Sequence, residues 1–423
     1  MSRDVAAADV EGGLSLEDMQ RRSLELRPPA GKITLLPDPD PAEVWATIVS
    51  VDGHVVEPPD MFEGRAEARY RDQMPRVVET ADGSQSWLWN GQLLPNVGLN
   101  AVAGRPPEEH TSEPTRFEHM RRGAWDPHAR LADMDINGVW ASLCFPSFLA
   151  GFVGQRLTLW PHDAGLALAA MRAYNDWHLE SWCGADRDRM IPQQIAWLRD
   201  PELAAAEIRR NAARGFKAVT FSEAPHKLGL PTIHSGYWDP FVEACAETGT
   251  VLCLHVGSAG QTVTTSEDAP IRVVGALFAA SAFASTADWL CSGYPARHPQ
   301  LRIVMSEGGI GWVGGLVDRL DHLDARHAPI AMGPGLDRTS DLLRRNFRFC
   351  ALDDPSGFLT RDVIGVDNIL VEADYPHSDS TWPHTQALLE YQLRNLSVAE
   401  QRRICWKNAV DLFRHCDPPA PLP

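Results

Sequence analysis

In the stretch TIVSVDGH, residues 47–54, an apolar and β-branched run (Thr47, Ile48, Val49, Val51) stops abruptly at Asp52-Gly53-His54. A short run of this kind, closed by a turn signal, reads as a buried strand. Residues i and i+2 of a strand point to the same side. Asp52 and His54 therefore present a carboxylate and an imidazole together at the strand tip. Such a pair can grip one object, and a metal ion is the obvious candidate.

The same kind of run recurs along the chain. After TIVSVDGH come GVWASLCFP from Gly138, MIPQQIAW from Met190, FKAVTFSE from Phe216 and TVLCLHVG from Thr250. LRIVMSEGG from Leu301, NFRFCAL from Asn346 and NILVEADYPH from Asn368 bring the candidate strands to eight. Amphipathic helix patterns separate many of them. PELAAAEIRRNAARG starts at Pro201 and ends on a glycine, and WDPFVEACAETG has Asp239-Pro240 as its start signal. Alternating strand and helix predicts a parallel sheet. Eight repeats predict an α/β fold closed as a (β/α)8 TIM-type barrel, with its active site at the C-terminal ends of the strands.

Residues 45–415 are expected to form this barrel, between an N-terminal extension (1–44, rich in turn signals such as PDPDP at 37–41) and a short tail (416–423). The large departure is a long insertion, residues 58–132, after strand 1. It contains RVVETADGSQSWLWNG, a hairpin signal with Asp82-Gly83 at the turn. Long insertions over the catalytic face often serve as lids or substrate walls. Trp87 and Trp89, alternating on the second arm, either line the substrate or pack on the barrel.

The net charge of −17 argues against a nucleic-acid partner, which needs a basic face. No run of about 18 apolar residues lacks a charge. Residues 273–290 come nearest, are broken by Asp288, and read as a buried barrel helix. The first residues lack the apolar core of a signal peptide. A cytoplasmic, non-membrane protein is expected. Eight scattered cysteines with no CxxC read as free thiols.

The strand tips form a constellation. Strand one ends in Asp52 and His54, and strand four ends in Glu223 with His226 three residues on. Strand five carries His255, strand six Glu307, and strand eight Asp374 and His377. Singly, each has a plain explanation as a hydrogen-bonded core histidine or a solvated acid. Together they converge on one small volume. Several buried carboxylates repel each other, and few Lys or Arg lie beside them in sequence. One or two divalent metal ions would supply the missing charge.

The same residues carry a resemblance. VSVDGHVVEPPDMF, WDPHARLADMDINGV, LCLHVGSAG, IVMSEGGIGW and ADYPHSDSTWP resemble the amidohydrolase-2 family, from about Ile48 to NAVDLF near Phe413. That family includes metal-dependent hydrolases and non-oxidative decarboxylases of the aminocarboxymuconate-semialdehyde decarboxylase type. Its pattern has His-x-His on strand one, His on strands five and six, and Asp on strand eight. His54, His255 and Asp374 match. Asp52 replaces the first His, Glu307 stands in place of the strand-six His, and Glu223 occupies strand four where a bridging Lys would be.

More carboxylates make a harder site, better suited to Fe or Mn than to Zn. A small branch of amidohydrolase-like barrels that works as dinuclear non-haem monooxygenases is similar in this respect. The resemblance thus implies two divalent metals, most simply Fe with Mn or Zn as alternatives, held by Asp52, His54, Glu223, His255, Glu307 and Asp374. The expected reaction is hydroxylation of a C–H bond in a bulky apolar small molecule, such as a terpenoid or acyl natural-product intermediate, using O2 and an electron donor. Trp312, Trp382, Trp87 and Trp89 would form apolar walls. His377, His226 and His234 are candidates to support the ligands or touch the substrate.

The alternative is a hydrolase or non-oxidative decarboxylase. One metal on His54, His255 and Asp374 would activate water, with Glu307 or Asp374 as general base. A barrel used only as a scaffold is the third class, and a site of this charge is costly to keep without use. A homodimer is expected by analogy with barrels that pair through exposed helices.

Overall fold

The computed structural model describes residues 13–15, 33–94, 96–110, 113–266, 268–326 and 338–422. Much of the extension expected over residues 1–44 lies outside these. The predicted apolar runs become the staves of a barrel: β1 (Val49–Ser50), β2 (Ala141–Leu143), β3 (Met190–Ile191 and Gln193–Ile195) and β4 (Ala218–Ser222). They continue in β5 (Val251–His255), β6 (Ile303–Ser306), β7 (Phe347–Ala351) and β8 (Ile369–Val371). All neighbours pair in parallel, and β8 returns to β1. The strands are buried on both faces, as the near-continuous apolar runs require.

Closure runs through β3, which Pro192 divides. Met190–Ile191 pairs with β2, and Gln193–Ile195 pairs with β4. Proline has no N–H to give a ladder, so the strand changes partner there. The Pro192 carbonyl still accepts the Lys217 N–H at 2.9 Å. The strand pair β1–β2 reopens beyond a short break as His54–Val55 against Phe145–Pro146, again in parallel. This extension carries His54 past the end of β1.

The helices follow their sequence signals. Asp126 caps Pro127–Asn137 by accepting from the His128 and Ala129 N–H groups, and Gly138 ends it at φ 67°. Asp200 and Gly215 do the same for Pro201–Arg214. Residues 273–290 depart from expectation. They form two helices, Ile271–Ala276 and Phe278–Cys291, separated at Leu277. Ile271 and Phe283 are exposed. The longer helix buries Ala282, Trp289 and Leu290 in the core as expected of a barrel helix, while Ile271, Val274 and Gly275 of the shorter one, with Phe278, line a cavity.

Within residues 58–132, Arg76–Glu79, Gln85–Trp89 and Gln92–Leu94 form a three-stranded antiparallel sheet, with the predicted turn at Asp82-Gly83. Trp87 and Trp89 are fully buried in the main core, and the Trp89 indole donates to the Arg156 carbonyl. They pack on the barrel, the second of the two roles expected for them. As residues i and i+2 they share one face of the strand, and that face lies on the barrel. A further antiparallel pair joins Gly13–Ser15 to Gln261–Val263 in the loop after β5. No helix among the described residues is long and apolar enough to cross a membrane. All eight cysteines are free.

Candidate metal centre

His255 closes β5, and its geometry defines the centre. Its Nδ1 lies 2.6 Å from the Val256 carbonyl. A carbonyl only accepts, so Nδ1 carries the proton and Nε2 offers a lone pair. Around that Nε2 stand His54 Nε2 at 3.2 Å, Glu307 Oε2 at 3.3 Å and Asp52 Oδ2 at 3.4 Å. His54 Nε2 is also 3.3 Å from Asp374 Oδ1, which lies 3.2 Å from His377 Nδ1. The His377 ring stacks on that of His54 with centroids 3.7 Å apart. Two potential ligand groups result, Asp52–His54–His255 and His54–Asp374–His377, with His54 common to both.

The backbone holds these side chains in place. The Asp374 N–H donates to the Asp52 carbonyl at 3.1 Å, and the His54 N–H donates to the Tyr375 carbonyl at 2.7 Å. The tips of β1 and β8 are therefore tied directly. Glu307 and Asp374 both adopt positive φ, 57° and 46°. Such a conformation is costly for glutamate and concentrates at functional sites. Glu372 Oε2 accepts the Glu307 N–H at 3.0 Å and steadies that turn. Behind His54, the buried Arg130 donates to the His54 carbonyl and packs its guanidinium over the Tyr375 ring at 4.5 Å.

Asp52, Glu372 and Asp374 are buried, and the Glu307 side chain is 11% exposed. Among the described residues no Lys or Arg forms an ion pair with any of them. Both carboxylate oxygens of Asp52 and of Asp374 lack hydrogen-bond partners, as do His54 Nδ1 and His377 Nε2. Such groups are expensive to bury alone. Burial, reinforced by the neighbouring carboxylates, pushes Asp52, Glu307 and Glu372 well above the usual carboxylate range. Asp374 goes the other way: burial opposes it, but the His377 and His54 imidazoles beside it hold it low. Burial keeps the His54 and His255 rings neutral.

Neutral imidazoles and partnerless carboxylates are the donor set of a divalent cation. Donor atoms about 2.1 Å from a metal stand roughly 3.0–3.4 Å apart in octahedral or tetrahedral arrangements. The distances around His255 Nε2 match that spacing. The residues present fit a metal.

A cavity of about 390 Å³ opens over the cluster. Glu307 and His377 form part of its lining, with Phe152, Val256, Val274 and Phe278 as apolar walls. Asn100 and Glu113 reach it from the insertion, and Asp379 from the loop after β8.

The tertiary structure thus brings together Asp52, His54, His255, Glu307, Asp374 and His377. Glu223 stands beside the cluster, outside both ligand groups. Its Oε1 accepts the Gly257 N–H at 2.9 Å, and its Oε2 has no partner. His226 is exposed on a short 3-10 turn. His234 is exposed and paired with Asp288 at 2.6 Å. Neither joins the cluster. Trp312 packs edge-on against Phe283 and Phe349, with its indole on the Gly308 carbonyl. Trp382 donates to the Asp133 carbonyl and lies under Arg121. Neither is among the residues that line the cavity over the cluster.

Sequence reading missed Glu372. It stands two residues before Asp374, the same spacing that singled out Asp52 and His54, and that spacing was the available signal. Arg130 was also missed, for nothing in its local sequence announces a buried guanidinium.

A family profile described as Amidohydrolase matches residues 52–415. No curated protein matches the chain. Among solved structures, an amidohydrolase of Mycobacterium avium subsp. paratuberculosis K-10 is 23% identical, with a TM-score of 0.65 over 87% of this chain and 99% of that one. A 2,6-dihydroxybenzoate decarboxylase from Rhizobium is 18% identical, with a TM-score of 0.58 over 87% of this chain and 99% of that one. A 5-carboxyvanillate decarboxylase from Novosphingobium aromaticivorans DSM 12444, complexed with manganese and 4-hydroxy-3-methoxy-5-nitrobenzoic acid, is 17% identical. Its TM-score is 0.59 over 91% of this chain and 100% of that one. At these identities the likeness shows a shared fold.

Proposed function

The chain belongs to the amidohydrolase family, and from that premise we propose that it is a divalent-metal-dependent hydrolase or non-oxidative decarboxylase. One observation carries this reading. Asp52, His54, His255 and Asp374 converge at the C-terminal mouth of the barrel with partnerless or lone-pair atoms and no Lys or Arg among the described residues to neutralise them. The manganese and decarboxylase chemistry named for two of the structural relatives supports it. The oxidative reaction expected from the carboxylate count has no such support and yields first place.

Asp52, His54, His255 and Asp374 would hold the metal. When bound, it supplies Lewis acidity toward a substrate carbonyl or carboxylate oxygen, or toward water. The residues of the chain do the rest. Phe152, Val256 and Phe278 seat an apolar substrate body against the cluster. Glu307 Oε2 lies between the cluster and the cavity and is the group placed to move a proton. In hydrolysis it takes the proton from water and returns it to the leaving group. In decarboxylation it delivers a proton to the carbon that loses CO2. Glu372 orients Glu307 through its N–H, and His377 orients Asp374.

A second reading, the dinuclear monooxygenase, has an observation of its own. Glu307 stands 3.3 Å from His255 Nε2, and Glu223 Oε2 is buried without a partner, so carboxylates exceed the need of one ion. Elemental analysis of anaerobically purified protein, followed by chelation and reconstitution, separates the two. The proposal expects about one metal per chain and turnover without O2 when Mn or Zn is restored. Glu307→Gln should keep the metal and lose turnover. Two iron atoms per chain, with activity strictly dependent on O2 and a reductant, would overturn it in favour of the second reading.

A further inference from the structure

We propose that Phe152 sets the width of the substrate body admitted beside the metal centre, and that Glu57 is the positioning residue that fixes Phe152 there. The inference rests on the reading above for where the reacting group sits, and it adds what selects the rest of the substrate.

Phe152 belongs both to the cavity and to the surroundings of the ligands. Its ring centroid lies 4.5 Å from that of His255, 5.0 Å from that of His54 and 6.2 Å from that of His377. It also lines the cavity of about 390 Å³. Phe145 packs on the same two ligand imidazoles, at 4.7 Å from His255 and 5.9 Å from His54, but it is fully buried and is not among the lining residues. A substrate body held at the cluster therefore meets the Phe152 ring.

Phe152 sits in residues 147–154 after β2, a stretch with no strand or helix of its own. Side chains from elsewhere hold it. Glu57 is fully buried, and its Oε1 accepts the Ser147 N–H at 3.1 Å and the Ala150 N–H at 3.0 Å. Its Oε2 accepts the Leu149 N–H at 3.2 Å. On β4, the Thr220 hydroxyl donates to the Phe152 carbonyl at 2.7 Å. Glu57 lies three residues after His54, so one short segment carries a ligand imidazole and the strut of the aromatic wall.

A buried carboxylate is costly, and among the described residues Glu57 forms no ion pair. Its partners are three backbone N–H groups of this one loop. A carboxylate serves them because both of its oxygens carry lone pairs, whereas a glutamine would set an NH2 against one side of the loop. Close-packed interiors pass a displacement on rather than absorb it. A change at Glu57 therefore reaches the Phe152 ring and loosens the wall.

The test uses the manganese-loaded full-length protein and two probes with the same metal-chelating head, benzohydroxamate and 2-naphthohydroxamate, titrated by calorimetry. The quantity read is the ratio of the two affinities. Phe152→Ala should move that ratio toward the naphthyl probe on the order of tenfold. Glu57→Gln should move it the same way by a smaller factor, and should add nothing in the Phe152→Ala background, because a positioning residue acts through the group it places. A merely structural role would lower stability in both backgrounds and leave the ratio alone. If Glu57→Gln fails to fold, Thr220→Val, which removes the donor to the Phe152 carbonyl, takes its place in the same cycle. A ratio unmoved by Phe152→Ala, a Glu57→Gln shift that persists in full without the Phe152 ring, or failure of both probes to bind the manganese-loaded protein would overturn the proposal. Manganese stoichiometry is read in a separate titration. Loss of manganese in Glu57→Gln would put the effect of Glu57 on His54 and overturn its role. A wild-type protein that binds no manganese refutes the metal reading, and the cycle is then run with phenol and 2-naphthol on the protein as purified.

Discussion

Glu223 and Asp374 follow strands on opposite sides of the same barrel and acquire opposite character. Asp374 has two imidazoles beside it and is held low. Glu223 is buried with one N–H partner, and burial pushes it from its ordinary 4.5 to about 7. The folded protein therefore keeps a proton on Glu223 that the unfolded chain releases near 4.5. This contribution is intact below that value and is lost as pH rises through about 7. The gap corresponds to at most about 3 kcal/mol. Glu223→Gln should leave metal-free stability nearly unchanged near pH 4 and raise it by up to that amount above pH 8, as read by urea denaturation across pH. Stability that falls in the variant at high pH would show that the charged carboxylate is stabilising in the fold. Asp52 and His54 were legible because the strand rule places them on one side. Glu372 obeys the same rule but looks, in sequence, like any acid near a strand end.

At the scale of elements, local signals and local structure agree where a residue acts on its own neighbours. Asp126 caps Pro127–Asn137, and the helix in turn carries Arg130 to the His54 carbonyl and Asp133 to the Tyr375 hydroxyl. Asp126→Ala should cost about 1 kcal/mol in urea denaturation. Metal content should stay the same, since the cap touches no ligand. A loss of metal on this change would mean that the helix start governs the position of Arg130. Agreement fails where an element's surroundings decide. Apolar residues 273–290 looked like one buried helix and are instead two, broken at Leu277, of which the longer packs its Ala282, Trp289 and Leu290 into the core. Trp87 and Trp89 alternate as the hairpin requires, yet alternation does not say which face meets the barrel. Pro192 sits inside an apolar run that reads as one strand. Only the closure of the barrel shows that it divides two partners.

For the whole molecule, the barrel gathers four carboxylates and three imidazoles from strand ends scattered between residues 52 and 377. Their mutual repulsion and burial make the metal-free fold less stable than it could be. An ion that binds only the folded chain shifts the balance by mass action. With free Mn at about 100 times its Kd, the gain is roughly 2.7 kcal/mol, or about 3 °C in Tm for a chain of this length. Chelation should reverse it, and calorimetry with and without Mn checks it. A Tm indifferent to Mn, Zn and Fe would remove the cation from the account of these charges. The sequence by itself determined the barrel, its eight strands and the convergence of Asp52, His54, His255, Glu307 and Asp374, because strand periodicity and the polarity of a parallel barrel leave such residues one place to go. It could not decide which of the histidines and tryptophans face the cavity, that Glu223 stands beside the cluster, or that Glu372 and Arg130 brace it. Those outcomes depend on contacts between segments tens to hundreds of residues apart, and such contacts exist only once the barrel has closed.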